Sequence, residues 1–238
     1  MSKKLHFFCI LILVCSMNYG QTNYETGSVD YGIDINKETI SKAKNKIRSD
    51  NSYASKMILR ILKANKKIHA QDINFLNMKF KKDRFIVKPI DIMLPESTEN
   101  KFYLESSAYY VDFKNDIYLK QFNRRSSIYI APFKKDYDWK IKNEEKSILG
   151  FTCRKAVLKI PKDNKVIAWF TPQIPVAFSP VQYYGLPGAI LEITTPLKHI
   201  YAKNIEFKDD VEVEKPTDGI KLTAEEYKEM ISKFKPPE

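Results

Sequence analysis

Alternation between apolar and polar residues is the main pattern along the chain, and it predicts a protein built largely of β-strands. Residues Val29 to Ile35 alternate and predict a first strand. From Ile73 to Phe207, short alternating or apolar runs follow one another with turn residues between them. Within that stretch, Phe151 to Ile160 and Lys165 to Thr171 flank the turn residues Pro161 to Asn164 and predict a hairpin. Such a succession is typical of an antiparallel meander that forms an open or partly closed barrel.

Helical spacing replaces this alternation near the two ends of the chain. Between Glu38 and Lys67, apolar residues recur every three or four positions and predict two short helices, or one broken helix. Near the carboxyl end, Thr223 with Glu226 three residues later forms a capping box, which predicts a helix that ends before Pro236. The predicted fold class is therefore α+β and mainly β. It is a curved antiparallel sheet or half-barrel, with one or two N-terminal helices packed on it and a C-terminal helix.

The most distinctive turn of the chain lies between residues 185 and 191. Pro187 fixes its own φ angle and Gly188 can adopt a positive φ angle, so Leu186 to Ala189 predict a type II turn. The apolar residues after it predict a strand covered on both faces. We expect a structural role for this motif, although the amides of Gly188 and Ala189 could also form a small nest for an anion. The residues with the predicted structural role are Gly185, Leu186, Pro187, Gly188, Ile190 and Leu191.

The first 21 residues predict a secretory signal peptide. Lys3 and Lys4 precede a short apolar run from Leu5 to Cys15, and polar residues follow it. The run is too short to anchor the protein across a bilayer. Lipoprotein processing at Cys15 is the less favoured alternative. We therefore expect residues 22–238 to form a single β-rich domain, soluble after signal removal, that is exported through the inner membrane and is periplasmic or secreted.

Positive charge is concentrated in one part of the chain. The full chain carries 40 basic and 29 acidic residues, a net charge of +11 at pH 7. The segment from Lys37 to Lys88 alone carries 15 basic and 4 acidic residues. A local basic surface suits a lipid headgroup, a lipopolysaccharide phosphate or an acidic protein, although a solvated helix face explains the same pattern. Since the chain is expected to be exported, we predict no nucleic-acid partner.

Cys153 is the one cysteine that remains after signal removal, so an internal disulfide is excluded in the mature chain. It lies on a predicted strand, and we expect a buried, inert thiol with a structural role. A thiol nucleophile is the alternative, and it needs His69 or His199 as its base. The sequence shows no ligand spacing for zinc or calcium and no phosphate-binding or hydrolase motif. We therefore predict no catalytic residue, no metal site and no cofactor.

The segment from Trp169 to Pro180 is the best candidate for ligand binding. Its three prolines keep the chain extended and limit pairing with neighbouring strands. Laid across a curved sheet, this segment would either close over an apolar cleft or plug the open end of the core. Aromatic side chains in and after it offer apolar contact area with a polar edge. The predicted ligand-binding residues are Trp169, Phe170, Phe178, Tyr183 and Tyr184.

The sequence Gly185-Leu186-Pro187-Gly188-Ala189-Ile190 matches the motif after which a known family is named, except that Ala189 stands where the family usually has Leu. Residues Trp139 to Thr194 resemble that family. It is the GLPGLI family of exported Bacteroidota proteins, also described as Porph_ging. The resemblance implies an exported, envelope-associated β-rich protein of unknown biochemical function, with no catalytic residues to transfer. Supporting matches, in the order of the family, are Ile148, Gly150, Cys153, Ala156, Ala168 to Thr171, Ile174, Pro175 and Pro180.

Together these features predict an envelope protein that binds a hydrophobic or lipid-linked ligand, or a partner protein, without catalysis. One alternative is an accessory subunit of an outer-membrane uptake or export machine, which acts through protein contact. A further alternative is a hydrolase that depends on a thiol or on carboxylates.

Overall fold

The computed structural model describes residues 24–36, 41, 76–90, 107–124, 126–161 and 164–233. Strands dominate this part of the chain, and one helix follows them, which confirms the prediction of a mainly β protein with a C-terminal helix. The elements are β1 (Thr26–Ile35), β2 (Leu76–Lys81), β3 (Arg84–Pro89), β4 (Ser107–Asp112), β5 (Ile117–Arg124), β6 (Ser127–Pro132), β7 (Lys140–Ile148), β8 (Phe151–Ile160), β9 (Asn164–Thr171), β10 (Ala189–Thr194), β11 (Lys198–Phe207), β12 (Ile220–Lys221) and α1 (Ala224–Ser232).

The twelve strands of the described residues form one large open sheet. Their order is β12-β6-β5-β4-β3-β2-β1-β11-β10-β9-β8-β7. All neighbours pair antiparallel except β12, which pairs in parallel with β6. The prediction of a purely antiparallel sheet is therefore wrong at this edge. A tight hairpin would force β12 to run antiparallel to its neighbour. The chain instead reaches β12 from β11 through a long connection that crosses the sheet, and such a connection permits parallel pairing with β6.

The strands lie where the alternation of apolar and polar residues predicts them. In β2, Leu76, Met78 and Phe80 are fully buried, while Asn77 is half-buried and Lys79 is exposed. Side chains of successive strand residues point to opposite faces, so the buried set marks the core side of the sheet. The predicted hairpin around residues 161–164 is confirmed, since β8 and β9 pair from Ile160 with Asn164 onward.

Among the described residues, three connections without strand structure cross the sheet. Residues 172–188 join β9 to β10 and are called the strap here; they lie on the core side, against Phe80 of β2 and Tyr118 of β5. Residues 208–219 join β11 to β12 and pass the opposite side, where Glu212 and Lys79 line the same cleft. Residues 133–139 lead from β6, next to one edge, to β7 at the other edge.

Helix α1 begins as the sequence predicts. The amide of Glu226 donates to the Thr223 hydroxyl (3.1 Å), and the amide of Thr223 donates to the Glu226 carboxylate (2.7 Å), so both halves of the capping box are present. The signal peptide and, apart from Ser41, the helices predicted between Glu38 and Lys67 fall outside the described residues. Within the described ranges, no helix combines the length and apolarity needed to span a bilayer.

Candidate functional site

The turn at residues 186–188 is a buried corner that fixes the strap to the sheet. The amide of Gly188 donates to the Leu186 carbonyl (2.9 Å), which closes a three-residue turn around Pro187 instead of the predicted four-residue type II turn. Because that bond uses the Gly188 amide, this amide does not contribute to an anion nest. Gly188 has a φ angle of +135°, and a Cβ atom at this position would lie 2.9 Å from Pro172 Cα and would overlap the Thr171 carbonyl.

The strand that follows the corner is covered on both faces, as predicted. Ile190 and Leu191 are 1% and 0% exposed, and Leu186 is also buried. The register of β10 against β9 shifts between Ile190 and Glu192, so Leu191 is an extra residue in the ladder. The hydroxyl of Tyr31, from β1, donates to the Ile190 carbonyl (2.7 Å) at this irregular position. The corner and the bulge together fix the N-terminal end of β10, where the strap joins this strand.

Two of the predicted ligand-binding residues are core residues. Phe178 in the strap is fully buried, with its ring centroid 4.8 Å from that of Phe80. Phe170 at the end of β9 is 1% exposed. Ile174 and Val176 of the strap are buried as well, so this half of the strap plugs the core instead of covering an empty cleft. In this conformation Phe170 and Phe178 present no surface to a ligand.

Tyr184 anchors the second half of the strap. Its ring stacks on Tyr118 (4.9 Å between centroids), its hydroxyl accepts from the Lys135 amide (2.7 Å), and its carbonyl accepts from Trp139 Nε1 (2.9 Å). Burial is the main reason why the pKa of Tyr184 is raised to about 12. Lys135 and Trp139 both belong to the connection from β6 to β7. Tyr184 therefore links the strap to the connection that joins the two ends of the sheet.

Trp169 belongs to a group of polar and aromatic side chains that spans β7 to β11. The ammonium of Lys146 lies 4.5 Å from the Trp169 ring centroid and 2.6 Å from the Glu192 carboxylate. On the other side of Glu192, His199 Nε2 lies 3.3 Å from the second carboxylate oxygen, and the His199 ring stacks on Tyr201. We call Lys146, Trp169, Glu192 and His199 the brace, because they tie four strands together.

The carboxylate of Glu192 is the electrostatic centre of the brace. Burial alone raises the pKa of Glu192, but the hydrogen bonds from His199 and Lys146 outweigh this effect and hold the pKa below its ordinary value. The side chain is 18% exposed. Glu192 is therefore an ionised group that is already paired on both sides, which suits a structural role.

Cys153 is buried, and its surroundings disfavour the thiolate form. The thiol is 0% exposed, and burial raises its pKa to about 11. A nucleophilic cysteine needs the opposite shift, because the thiolate is the reactive form. The expectation of an inert, buried thiol agrees with this environment.

Tyr183, one of the predicted ligand-binding residues, lines an open groove. The groove lies between the strap and the β10–β11 hairpin and has a volume of about 270 Å³. The Tyr183 ring is half-buried and contacts Tyr137, with 5.3 Å between centroids. The other residues that line the groove are Ile160, Val181, Gln182, Thr195, Pro196, Leu197, Lys198 and Ile200.

The hairpin that forms one wall of this groove is held by its own hydrogen bonds. The amide of Thr195 donates to the Lys198 carbonyl (2.8 Å), and the amide of Lys198 donates to the Thr195 hydroxyl (2.9 Å). From outside the hairpin, Asn36 donates its amide to the Leu197 carbonyl and its side chain to the Thr195 carbonyl. Leu197 is nevertheless 66% exposed. The backbone is therefore fixed while an apolar side chain remains open to solvent.

Most of the groove could not be predicted from the sequence. Ile160, Val181 and Leu197 are ordinary apolar residues in three separate elements, and only the fold brings them to Tyr183. One signal was present: Leu197 is a large apolar residue in a hairpin tip, where Gly, Pro, Asn, Asp and Ser are the usual residues. Within the part of the chain that the structure describes, no group of three or more metal-ligating side chains occurs.

A comparison with known protein families finds a match in the part of the chain that contains the strap. A family model described as "Protein of unknown function (Porph_ging)" matches residues 157–192. The resemblance to this family is confirmed. The Porph_ging segment includes the end of β8, all of β9, the whole strap and β10 as far as Glu192. It therefore supplies Ile160, Val181 and Tyr183 to the groove, and Trp169 and Glu192 to the brace. A search of curated proteins finds no match.

Solved structures with a similar fold are larger than this chain. Two crystal forms of PNGF-II, in space groups P21 and C2, superpose with TM-scores of 0.55 and 0.52 at 16% sequence identity. The matches cover 88% and 87% of this chain and 33% of each PNGF-II chain. The chain thus spans about a third of the length of these proteins. At this identity the likeness concerns the fold alone.

Proposed function

We propose that this chain is an exported protein of the cell envelope that binds a hydrophobic group, without catalysis, in the groove beside Tyr183. The observation that supports the proposal is the groove itself, which Ile160, Val181, Leu197 and Ile200 line with apolar side chains. Leu197 is exposed and Ile160 half-buried, while Val181 and Ile200 are buried at the base. Ligand sites are typically concave and mostly apolar with a few polar groups, and 270 Å³ lies just below their usual size of about 300 to 1,000 Å³. The ligand is therefore small, or it is one chain or ring of a larger molecule.

The rigidity of the groove supports binding further. A ligand loses less ordering entropy when the walls are already fixed in the bound conformation. One wall is the hydrogen-bonded hairpin at residues 195–198, and the other is the strap, which Tyr184 and the corner at Gly188 hold in place. Apolar side chains on a fixed backbone form a preformed site.

The sheet as a whole is proposed to curl around this region. In a flat sheet, β6 and β7 lie ten strand intervals apart, which corresponds to about 48 Å at about 4.8 Å per interval. The chain from Pro132 to Lys140 covers eight residue steps, which reach at most about 29 Å. A flat sheet cannot be bridged by so short a connection, which supports the predicted curved sheet or half-barrel.

We propose that the protein is not a catalyst because its candidate reactive groups are buried or already paired. Cys153 is buried with a raised pKa, and the Glu192 carboxylate is paired with both Lys146 and His199. Neither arrangement offers an activated nucleophile or a poised general base.

We propose export because the N-terminal sequence has the pattern of a signal peptide. A fusion of residues 1–21 to a reporter that is active only outside the cytoplasm tests this proposal.

Binding is tested with the neutral fluorescent probe 1-N-phenylnaphthylamine. Leu197→Lys places an ammonium group at the rim of the groove, and we expect probe binding about tenfold weaker because burying a charge beside an apolar ligand is costly. The matched control is Leu149→Lys, an exposed leucine in the turn between β7 and β8 that does not line the groove. Equal probe affinity in the two variants would refute the site. Mass spectrometry of the protein purified from its native envelope then identifies any bound lipid.

A further inference from the structure

A cleft of about 180 Å³ lies on the other side of the sheet from the strap, where the connection of residues 208–219 forms one of its walls. Hydrogen bonds fix this connection at both ends. The Lys208 amide donates to the Thr26 carbonyl (3.3 Å) where the connection leaves β11. The Gln121 side chain donates to the Asp218 carbonyl (2.8 Å) shortly before β12. The cleft is lined by Asn77, Lys79, Ile86, Lys88, Glu212 and Glu214.

The floor of the cleft is positively charged around an apolar base. Lys79 of β2 lies directly opposite Ile86 of β3 in the strand register. Lys88 lies opposite Asn77, two residues further along each strand, so the four side chains point to the same face. Both lysines are exposed, while Ile86 is buried. The Asn77 side chain donates to the Asp30 carboxylate (2.7 Å), which fixes this corner of the floor.

The wall of the cleft is negatively charged. Glu212 and Glu214 are both exposed and line the cleft from the same stretch of the connection. Among the residues that the structure describes, no ion pair within 4.0 Å and no hydrogen bond is made by the side chains of these two glutamates or of Lys79 and Lys88. Two carboxylates and two ammonium groups therefore line one cleft from different elements without neutralising each other.

We infer that this cleft binds a small zwitterion of the α-amino-acid type. The ammonium group of the ligand lies at the two glutamates and its carboxylate lies at the two lysines. The lysines repel a simple cation and the glutamates repel a simple anion, whereas a ligand with both charges is attracted at both ends. The volume limits the ligand to a small molecule, and Ile86 favours an aliphatic side chain. This site is separate from the groove beside Tyr183 and does not depend on the proposed function.

The test compares three compounds with the same branched hydrocarbon chain. L-Leucine carries both charges, L-leucinamide lacks the carboxylate, and 4-methylpentanoate lacks the ammonium group. Each is titrated against the purified protein by NMR at pH 6.5, where α-amino groups with a pKa of about 8 are protonated, and at low salt, where screening is weak. We expect L-leucine to bind about three- to fivefold more tightly than either analogue, as suits exposed charge pairs.

Two variants assign the ends of the ligand. Lys88→Met keeps the length of the side chain and removes its charge, so it weakens L-leucine about three- to fivefold without weakening L-leucinamide. Glu212→Gln weakens L-leucine and L-leucinamide without weakening 4-methylpentanoate. The matched controls are Lys159→Met and Glu145→Gln, which change exposed residues of β8 and β7 that do not line the cleft. We expect both controls to bind L-leucine as the unchanged protein does.

Three results would overturn the inference. Equal affinity for L-leucine and its two analogues refutes the zwitterion, and failure of all three compounds to bind refutes the cleft as a ligand site. A loss of L-leucine binding that is as large in Lys159→Met as in Lys88→Met places the ligand elsewhere. None of these results changes the expected binding of 1-N-phenylnaphthylamine in the groove, so the two sites are tested independently.

Discussion

Substitution of Gly188 by alanine is the most direct perturbation of the corner that joins the strap to β10. The added Cβ would overlap the Thr171 carbonyl and would lie 2.8 Å from its carbon and 2.9 Å from Pro172 Cα. These neighbours are backbone atoms of a strand end, so they cannot move aside as a flexible side chain can. The φ angle of +135° adds backbone strain for any residue with a Cβ.

Gly185 provides a matched control within the same motif. It also has a positive φ angle, +93°, but a Cβ there would have no atom within 4 Å. Gly185→Ala therefore carries the backbone strain alone, about 1 kcal/mol after the stiffer unfolded chain is taken into account. Gly188→Ala adds the cost of overpacking, about 1 to 3 kcal/mol, so its total is roughly 3 kcal/mol.

Thermal unfolding measured by circular dichroism separates the two variants. For a domain of this size, 1 kcal/mol shifts Tm by about 2 to 4 °C, so we expect a decrease of about 6 to 12 °C for Gly188→Ala and of about 2 to 4 °C for Gly185→Ala. Equal decreases, or a larger one for Gly185→Ala, would show that close packing against Thr171 does not determine the stability of this corner.

Two further predictions concern ionisable groups. The Cys153 thiol should not react with a disulfide reagent at pH 8 in the native protein and should react fully in urea. Its folded pKa is raised to about 11 from 9.0. The contribution of the buried neutral thiol to stability is therefore complete below pH 9 and is lost as the pH rises towards 11. Rapid native reaction would contradict the burial of the thiol. The Glu192 carboxylate has a lowered folded pKa, so it stabilises the protein above pH 4.5, its ordinary pKa, and this contribution disappears as the pH falls through the lower folded value. Glu192→Gln should therefore lower the free energy of unfolding by about 1 to 2 kcal/mol at pH 7 and by much less in acid, and urea titrations at pH 7 and pH 3 measure both values. A difference that does not depend on pH would mean that the brace is not electrostatic.

Strand positions could be predicted from the sequence because each strand carries its own signal. Leu76 and Phe80 alternate with polar residues whatever lies next to them, and the capping box at Thr223 is complete within four residues. The parallel pairing of β12 carries no such signal, because it depends on where a long connection ends. Local patterns therefore predicted the elements well and the sheet edge poorly.

The candidate site was only partly predictable from the sequence, because most of its contacts join residues that are far apart in the chain. Aromatic residues near the strap were recognisable as a group, but their environments depend on distant partners. Lys146 covers Trp169 from two strands away, and Phe80 fills the space beside Phe178. Tyr183 lines the groove only because residues of β8 and the β10–β11 hairpin meet it. Such contacts between distant parts of the chain leave no pattern in the neighbouring sequence.

The pairing of β1 with β11 has a consequence for how this chain reaches its native state. Val29 meets Ile205 and Ile33 meets Ile200 in the middle of the sheet, so the central seam cannot close until the chain has been synthesised as far as β11. Contacts so distant in sequence slow folding, because a very large loop must be ordered before they form. In a chain with this topology, we expect the central seam to form late in folding, after local hairpins such as β8–β9 have paired.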